Sequence, residues 1–294
     1  MNIDICQLNR LGNREKNEDR LLVAESDNLV LLAIADGMGG HRGGEIAAQI
    51  LVDTLDMYFR RAAGDIPRPR EFLRYAIEAA HFEINKRSRN DSGIDPRTTA
   101  VACLISPAGV TWAHVGDSRL YMLRGSKILA RTIDHSYVED LYKQGLISED
   151  DMLTHPKRSF LTQCIGGGQK PHISFAGHDN LQAEDVLLLC SDGLWSAIDE
   201  TPLRTLTSQP VLEAAVNDIA STAEKNTYPL SDNISAVAIR FREKPVMTTT
   251  PKPFAKKPLT KSKPPTLDNA IEDIEKALQD YHDEMDYDSS AKKD

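Results

Sequence analysis

Residues 100–130 read AVACLISPAGVTWAHVGDSRLYMLRGSKILA, and this stretch decides the fold. It contains four short apolar runs, at Ala100–Ile105, Val110–Val115, Arg119–Leu123 and Lys127–Ala130. Turn residues separate them, as in Pro107-Ala108-Gly109 and Arg124-Gly125-Ser126. Short apolar runs joined by tight turns are typical of antiparallel strands. We therefore expect a meander of closely spaced strands.

Helical patterns flank this stretch. They cover Gly43 to about Arg61 and about Arg70 to Arg89 before it, and a polar region from Ser136 to Phe160 after it. Further strands (Ile173–Ala176, Val186–Cys190) and helices (about Pro202–Thr207, Val211–Asn226) precede a last strand at Ile234–Phe241. Helix pairs among antiparallel strands predict an α+β fold in which two packed antiparallel sheets are flanked by helices.

Acidic residues stand where four of the apolar runs begin or end. They are Asp36 after Leu29–Ala35, Asp117 after Val110–Val115, Asp192 after Val186–Cys190, and Asp232 before Ile234–Phe241. Asp-Gly is also an ordinary turn, and Asp is a common helix N-cap. Burying isolated carboxylates is costly, however, so carboxylates gathered at one rim usually hold a cation. Four such acids predict a divalent-metal centre.

Composition narrows the class of protein. The chain has 294 residues, is 40% hydrophobic and carries a formal net charge of −9, which argues against nucleic-acid binding. No apolar run is long enough to span a bilayer, and the first residues do not resemble a signal peptide. The four cysteines lie far apart without a CxxC pair, which fits buried free thiols in a reducing compartment. We expect a cytoplasmic protein.

The composition changes sharply after the last predicted strand. We expect a folded domain over residues 1–242 and a Lys/Pro/Thr-rich linker over 243–266, because such a stretch buries too little surface to fold. An acidic amphipathic helix is predicted over 267–288, with apolar residues at Leu267, Ile271, Ile274, Leu278, Tyr281 and Met285. This helix either packs weakly on its own domain or docks a partner.

Seven motifs, taken in order, resemble the bacterial metal-dependent protein phosphatases of the PP2C (PPM) type. They are Asn13–Asp19 (NREKNED), Asp36–His41 (DGMGGH), Thr98-Thr99-Ala100, Ala113–Arg119 (AHVGDSR), Asp134-His135-Ser136, Leu188–Trp195 (LLCSDGLW) and Ser231–Ile234 (SDNI). The resemblance covers about residues 1–242. It implies a four-layer α-β-β-α sandwich and hydrolysis of phosphoserine and phosphothreonine in proteins, dependent on Mn²⁺ or Mg²⁺.

The resemblance also implies roles for individual residues. Asp36 would bridge two core ions and the carbonyl of Gly37 would add a ligand, while Asp192 and Asp232 would hold one ion. Further positions carried over are Glu18 and Asp19 around the cluster, Asp117 at a third ion, Asn233 as an accessory residue, and Arg14 as the phosphate-binding arginine. Oxygen ligands alone suit Mg²⁺ and Mn²⁺. For Arg14, a surface salt bridge with Glu15 or Glu18 is the alternative role.

The sequence departs from the family pattern at two places. Met38 stands where eukaryotic relatives carry a histidine, so the general acid is either a metal-bound water or, as a weaker candidate, His41. Arg97 stands where the family usually has glycine, and it either narrows the cleft or adds a positive contact for the substrate. Residues 136–168 resemble the mobile flap of the family, with a hinge at Gly166-Gly167-Gly168.

The resemblance implies partners as well. We expect phosphoprotein substrates and a cognate bacterial Ser/Thr kinase whose action the enzyme reverses. Apart from the resemblance, the C-terminal helix adds a partner of its own if it docks. The enzyme is expected to be a monomer, without nucleic-acid partner or membrane span. Two other functions stay open: a pseudophosphatase that binds a phosphoprotein without hydrolysing it, and a phosphoesterase acting on small molecules. All the expected acids are present, which favours an active enzyme.

Overall fold

The computed structural model describes residues 1–38, 43–62, 64–91 and 93–243. Its strands are β1 (Ile3–Arg10), β2 (Arg20–Ser26), β3 (Leu29–Ala35), β4 (Gly37–Met38), β5 (Arg97–Thr98), β6 (Ala100–Ser106), β7 (Gly109–Val115), β8 (Arg119–Arg124), β9 (Lys127–Arg131), β10 (Ser174–His178), β11 (Val186–Cys190) and β12 (Ile234–Phe241). Its α-helices are α1 (Gly44–Arg61), α2 (Pro69–Asn90), α3 (Tyr137–Lys143), α4 (Glu149–Thr154), α5 (Asp192–Trp195), α6 (Thr205–Ser208) and α7 (Leu212–Thr227), and a short 3₁₀ helix spans Pro202–Arg204.

Two five-stranded antiparallel sheets form the middle of the fold. One has the strand order β1-β12-β11-β8-β9 and the other β10-β7-β6-β3-β2, while β4 and β5 form a separate two-stranded ribbon. Helices α1 and α2 cover the second sheet, and α5, α6 and α7 cover the first. The predicted α+β class and the four-layer α-β-β-α sandwich are confirmed.

The strand β3 shows why the sequence of an antiparallel strand can be apolar without interruption. Successive side chains of a strand point to opposite faces of the sheet. Val30, Leu32 and Ile34 enter the core between the two sheets. Leu31 and Ala33 alternate with them and pack into the core under α1 and α2. Both faces of the strand are buried, so no polar position is left.

The four strands expected at residues 100–130 are present, but the prediction that they form a single meander is wrong. β6 pairs with β7 in one sheet, whereas β8 pairs with β9 in the other. The chain changes sheet at Gly116, whose φ of +97° lies in the left-handed region. A Cβ at Gly116 would lie 2.8 Å from the Cγ2 of Thr99, so both space and backbone geometry require glycine.

Strand register brings the predicted acids to one edge of the sandwich. In one sheet Arg10 pairs with Ile234 and Cys190 with Ala236, so Asp192 and Asp232 leave from the same edge. In the other, Ala100 pairs with Val115. The backbone N–H of Thr99 donates to the carbonyl of Asp36, which joins the end of β3 to that edge.

The predicted tail lies outside the described residues. The helix at 267–288 falls there entirely, as does the linker at 243–266 apart from Glu243, so the domain boundaries stay predictions. Within the described part of the chain, no helix combines the length and the hydropathy that a membrane crossing requires.

Candidate active site

Asp36 is fixed at the end of β3 by its own backbone. Its N–H donates to the Oγ1 of Thr99 over 3.0 Å, and its carbonyl accepts the N–H of Thr99 over 2.9 Å. The next residue, Gly37, lies against the start of α1, where a Cβ would be 2.3 Å from the carbonyl oxygen of Gly44. Asp36 and Gly37 therefore lie between the end of a strand and the start of a helix, and no side chain fits at Gly37.

Asp192 and Asp232 belong to two chain segments in backbone contact. Asp192 begins α5, so the Asp-Gly here starts a short helix and is not a simple turn. A Cβ at Gly193 would lie 2.1 Å from the carbonyl oxygen of Asn233. Burial raises the pKa of Asp192 to about 6, and the charge of Asp232 adds to that rise, while a hydrogen bond with Asp36 opposes it. All three aspartates are half-buried.

The charges around Asp36 show that the predicted acids converge. Burial raises the pKa of Asp36 well above its ordinary value. Four further carboxylates raise it more, in the order Asp19, Asp192, Asp117 and Asp232. The cluster therefore concentrates negative charge at one place, which a divalent cation would neutralise.

Asp19 and Asp117 lie deeper than the other acids, at 1% and 8% exposure. The Oγ of Ser191 donates to Asp19 over 2.8 Å. Burial raises the pKa of Asp19 to about 7, and the hydrogen bond from Ser191 opposes the rise. Burial also raises the pKa of Asp117 well above its usual range, with a further contribution from Asp192.

Arg14 lies at the mouth of the cluster. Its Nη2 donates to the Oδ2 of Asp232 over 2.6 Å, and its side chain is 58% exposed. This hydrogen bond raises the pKa of Arg14, and the charges of Asp192 and Asp36 contribute as well. The salt bridges considered from the sequence, with Glu15 or Glu18, are not the contact that the structure shows. Arg14 instead faces the aspartates.

Asn233 holds the loop that carries Arg14. Its Nδ2 donates to the carbonyls of Leu11 (2.8 Å) and Lys16 (3.0 Å), and its Oδ1 accepts the N–H of Glu18 over 2.9 Å. All three partner atoms belong to the backbone of the loop at residues 11–18. The side chain of this predicted accessory residue therefore positions the loop, while its backbone N–H donates to the Oδ1 of Asp232 over 2.8 Å.

Glu18 lies beside Glu45, which belongs to the first turn of α1. Burial raises the pKa of Glu18, and the charge of Glu45 and a hydrogen bond with it raise it further. The Oε2 of Glu45 is buried and has no hydrogen-bond partner. The sequence prediction did not include Glu45 among the site residues, although it follows the glycine-rich motif Asp36–His41 by four residues, and this position was the available signal.

Arg97 pairs with Met38 in the ribbon of β4 and β5, next to the Asp36 loop. Its Nε and Nη2 donate to the two carboxylate oxygens of Asp95, over 3.2 and 2.8 Å. Its guanidinium carbon is 3.5 Å from where a Cβ of Gly167 would lie. Arg97 therefore lines a cavity of about 320 Å³ between the ribbon and residues 161–169, with its charge balanced by Asp95.

The chemistry of the clustered side chains can be compared with the ligands that divalent ions prefer. The clustered groups are carboxylates that repel one another, which raises the pKa values of Asp36 and Asp192 beyond the effect of burial, and added positive charge relieves this repulsion. Among the residues that the structure describes, no group of three or more Asp, Glu, His or Cys side chains is placed to hold a metal ion as it stands. Mg²⁺ usually keeps several waters and takes one or two carboxylates, so an open cluster suits it. His41 lies outside the described residues.

Comparison with known proteins identifies the family. The family model described as "Protein phosphatase 2C" matches residues 7–236. The serine/threonine phosphatase stp of Listeria monocytogenes is 31% identical over 230 residues, which cover 77% of this chain and 90% of that protein.

Solved structures agree with this result. The serine/threonine phosphatase of S. agalactiae superposes with a TM-score of 0.74 and 29% identity, covering 81% of this chain and 99% of that one. The catalytic domain of the phosphatase PstP, solved with two manganese ions, superposes with a TM-score of 0.65 and 26% identity over 81% of this chain and 97% of that one.

A sandwich of two sheets with an acidic cleft at one edge defines a phosphatase of the PP2C class. The chain belongs to the protein phosphatase 2C family. The predicted family and the predicted enzyme class, a protein-serine/threonine phosphatase, are both confirmed.

Proposed function

We propose that this enzyme removes phosphate from phosphoserine and phosphothreonine in proteins, at the cleft between Arg14 and the aspartate cluster, and that it depends on Mn²⁺ or Mg²⁺. The observation that carries the proposal is the convergence of Asp36, Asp192 and Asp232 beneath an exposed arginine. The two manganese ions of the PstP structure support the choice of cofactor.

Asp36, the carbonyl of Gly37, Asp192 and Asp232 would hold two core ions. Glu18 and Asp19 would act around them, and Asp117 would hold a third ion. When bound, divalent ions lower the pKa of a coordinated water, which supplies a nucleophile near neutral pH.

Arg14 is the residue that this chain offers to the phosphate group. A guanidinium donates in a planar fork and grips two phosphate oxygens at once. Its side chain is exposed, and among the described residues its hydrogen-bond partner is Asp232, so the other guanidinium donors remain for the phosphate. The hydrogen bonds from Asn233 to the loop at residues 11–18 keep Arg14 at the edge of the aspartate cluster. The enzyme thereby positions the phosphoryl group over the acids, without a nucleophilic side chain of its own.

The biological setting follows from this chemistry. We infer that the enzyme reverses a cognate bacterial Ser/Thr kinase, acts in the cytoplasm and works as a monomer. The alternatives are a pseudophosphatase and a phosphoesterase for small molecules. The complete acid set speaks against the first, and the relatives named as serine/threonine phosphatases speak against the second.

A single experiment separates these functions. Hydrolysis of a phosphothreonine peptide is measured with Mn²⁺, with Mg²⁺ and with EDTA, for the wild type and for Asp192→Asn. We expect turnover only with added metal, and a loss of at least about 100-fold in the variant. Asp199→Asn, an exposed aspartate outside the cleft, is the matched control and should keep full activity.

Full turnover in EDTA would contradict the proposed metal dependence. Binding of the phosphopeptide without turnover in any metal would indicate the pseudophosphatase. Faster hydrolysis of small phosphate esters than of any phosphopeptide, measured by kcat/KM, would indicate the small-molecule enzyme.

A further inference from the structure

An exposed apolar surface adjoins the cleft on the side of Arg14. Tyr228 and Leu230 are 73% and 85% exposed, the highest values among the large apolar side chains that the structure describes as exposed. Leu11, at 46% exposure, belongs to the neighbouring loop. We call these three side chains the apolar ledge. Neighbouring apolar side chains left in water mark interaction surfaces more often than single ones do.

Hydrogen bonds tie the two loops of the ledge together. The N–H of Asn13 donates to the carbonyl of Ser231 over 2.9 Å, and the N–H of Leu230 donates to the carbonyl of Thr227 over 2.8 Å. The carbonyl of Leu11 accepts from Asn233, as described above. These hydrogen bonds fix the backbone that carries the side chains of the apolar ledge.

The ledge is continuous with the catalytic cleft. Gly12 has a φ of +62°, and a Cβ there would lie 2.1 Å from the carbonyl oxygen of Asp232, so the Leu11 loop touches the acid segment directly. Leu230 is two residues from Asp232, and Leu11 is three from Arg14. An extended chain advances about 3.3–3.6 Å per residue, so the Cα atoms of Leu11 and Leu230 lie within roughly 11 Å of those of Arg14 and Asp232, respectively.

We infer that the apolar ledge binds an aliphatic or aromatic side chain of the phosphoprotein, one to three residues from the phosphorylated Ser or Thr. This rests on the proposed function, because it places the phosphate at Arg14. A substrate chain in the cleft spans the same distance per residue, so its neighbouring side chains reach the ledge. Burying such a side chain against Leu230 and Tyr228 removes apolar surface of both partners from water.

Peptide scanning tests the inference. The parent is a phosphothreonine peptide with serine at the three positions on either side, and six derivatives place one leucine at each of these positions in turn. With the wild-type enzyme and Mn²⁺, we expect at least one leucine position to raise kcat/KM by about tenfold, which corresponds to about 1.4 kcal/mol. The gain should fall mainly on KM, because the contact lies away from the reacting bond.

The double variant Tyr228→Ser/Leu230→Ser should lose this preference, so that the favoured leucine peptide and the parent give the same kcat/KM within about twofold. Its melting temperature checks folding, which two such exposed side chains are not expected to affect. Val211→Ser is the matched control: Val211 is 56% exposed at the other end of α7, and the variant should keep the preference.

Equal kcat/KM at all six positions, or a preference that survives the double variant, would overturn the inference. So would inhibition of every substrate by a peptide of residues 267–288 that is lost in the double variant, because the ledge would then bind the tail. A dimer that forms in the wild type and is absent from the double variant would assign the ledge to a second copy and would also overturn it.

Failure of the proposed function gives a different pattern. In that case the wild type hydrolyses none of the seven peptides, and the ledge is tested by fluorescence anisotropy of the labelled peptides. A tenfold tighter Kd for one leucine peptide, abolished in the double variant, would support the ledge, and equal Kd values would overturn it.

Discussion

Asn233 shows how one amide side chain fixes a site without contacting the reacting groups. It makes three hydrogen bonds to the backbone of the loop at residues 11–18, and this loop carries Arg14. Arg14 in turn contacts Asp232, the residue directly before Asn233. Two neighbouring residues therefore set the position of the loop and of its guanidinium.

Replacing Arg14 by lysine tests the planar fork. Lysine keeps the charge but loses paired donation to two phosphate oxygens, and a hydrogen bond to a charged group contributes about 1.5–3 kcal/mol. We expect kcat/KM for a phosphopeptide to fall by roughly 10- to 100-fold in Arg14→Lys. Arg204→Lys, an exposed arginine on the 3₁₀ helix, serves as control. Unchanged kinetics in Arg14→Lys would show that charge alone suffices.

A second prediction concerns the crossing of the two acid segments. Gly193→Ala would place a Cβ 2.1 Å from the carbonyl oxygen of Asn233, and overpacking of this kind typically costs about 1–3 kcal/mol. We expect a lower melting temperature in a thermal scan. In Gly168→Ala the new Cβ meets nothing within 4 Å, so that control should melt with the wild type. Equal melting of both variants would disprove the close crossing.

At the scale of elements, the segment at residues 136–168 illustrates what sequence could and could not predict. Its helical, polar character is borne out by α3 and α4, and both begin at serine N-caps, Ser136 and Ser148. Its attachment was not predictable, because it depends on the backbone pairing of Ile165 with Thr98, far apart in sequence. Gly166 and Gly167 do adopt positive φ values, of +92° and +78°, beside this pairing.

The same contrast holds for strands and for site residues. The carboxylates were predictable because they stand at the ends of apolar runs, where the sheet edge must be. The change of sheet at Gly116 was not, since β7 and β8 look alike as runs of apolar residues and differ only in their partners. The distinct contacts of Arg97 and Asn233 depend in the same way on neighbours that the sequence does not reveal.

His81 on α2 links this segment to the helical layer, and its titration gives a prediction in pH. Its Nδ1 accepts the N–H of Gly166 over 3.0 Å. Burial lowers the pKa of His81 to about 4, with a smaller contribution from Lys170. Between about pH 6.5 and 4 the unfolded chain binds a proton that the folded chain does not, so stability falls as the pH drops through this range.

We therefore compare melting temperatures at pH 7 and 4.5. In His81→Asn the amide oxygen still accepts from Gly166, but the titrating group is gone, so the acid-induced drop should shrink by several degrees, at about 2–4 °C per kcal/mol. His81→Ala lacks the acceptor and should melt lower at both pH values. If the drop in His81→Asn matches that of the wild type, His81 does not contribute to acid sensitivity.

At the scale of the whole molecule, the acids come from both layers of the sandwich. Asp36 follows a strand of one sheet, whereas Asp192 follows a strand of the other and Asp232 precedes one. The chain leaves β12 at Phe241, at the end of that strand opposite Asp232. A strand of this length spans roughly 26 Å, so the tail departs from the far edge of the sandwich.

This arrangement predicts that metal ions stabilise the protein. Binding at 100 times Kd adds about 2.7 kcal/mol, or about 5–11 °C in melting temperature for a domain of this size. We expect Mn²⁺ to raise the melting temperature by this order and EDTA to reverse it, with a much smaller shift in Asp192→Asn. A melting temperature that does not change in millimolar Mn²⁺ would contradict the predicted stabilisation.

The repulsion within the acid cluster then has a consequence outside catalysis. Ions bound between carboxylates of the two sheets would link the two layers. Without ions, the repulsion between these carboxylates destabilises the folded state. Starving a cell of manganese or magnesium would reduce the amount of this phosphatase as well as its turnover, since less stable chains are removed faster by proteases.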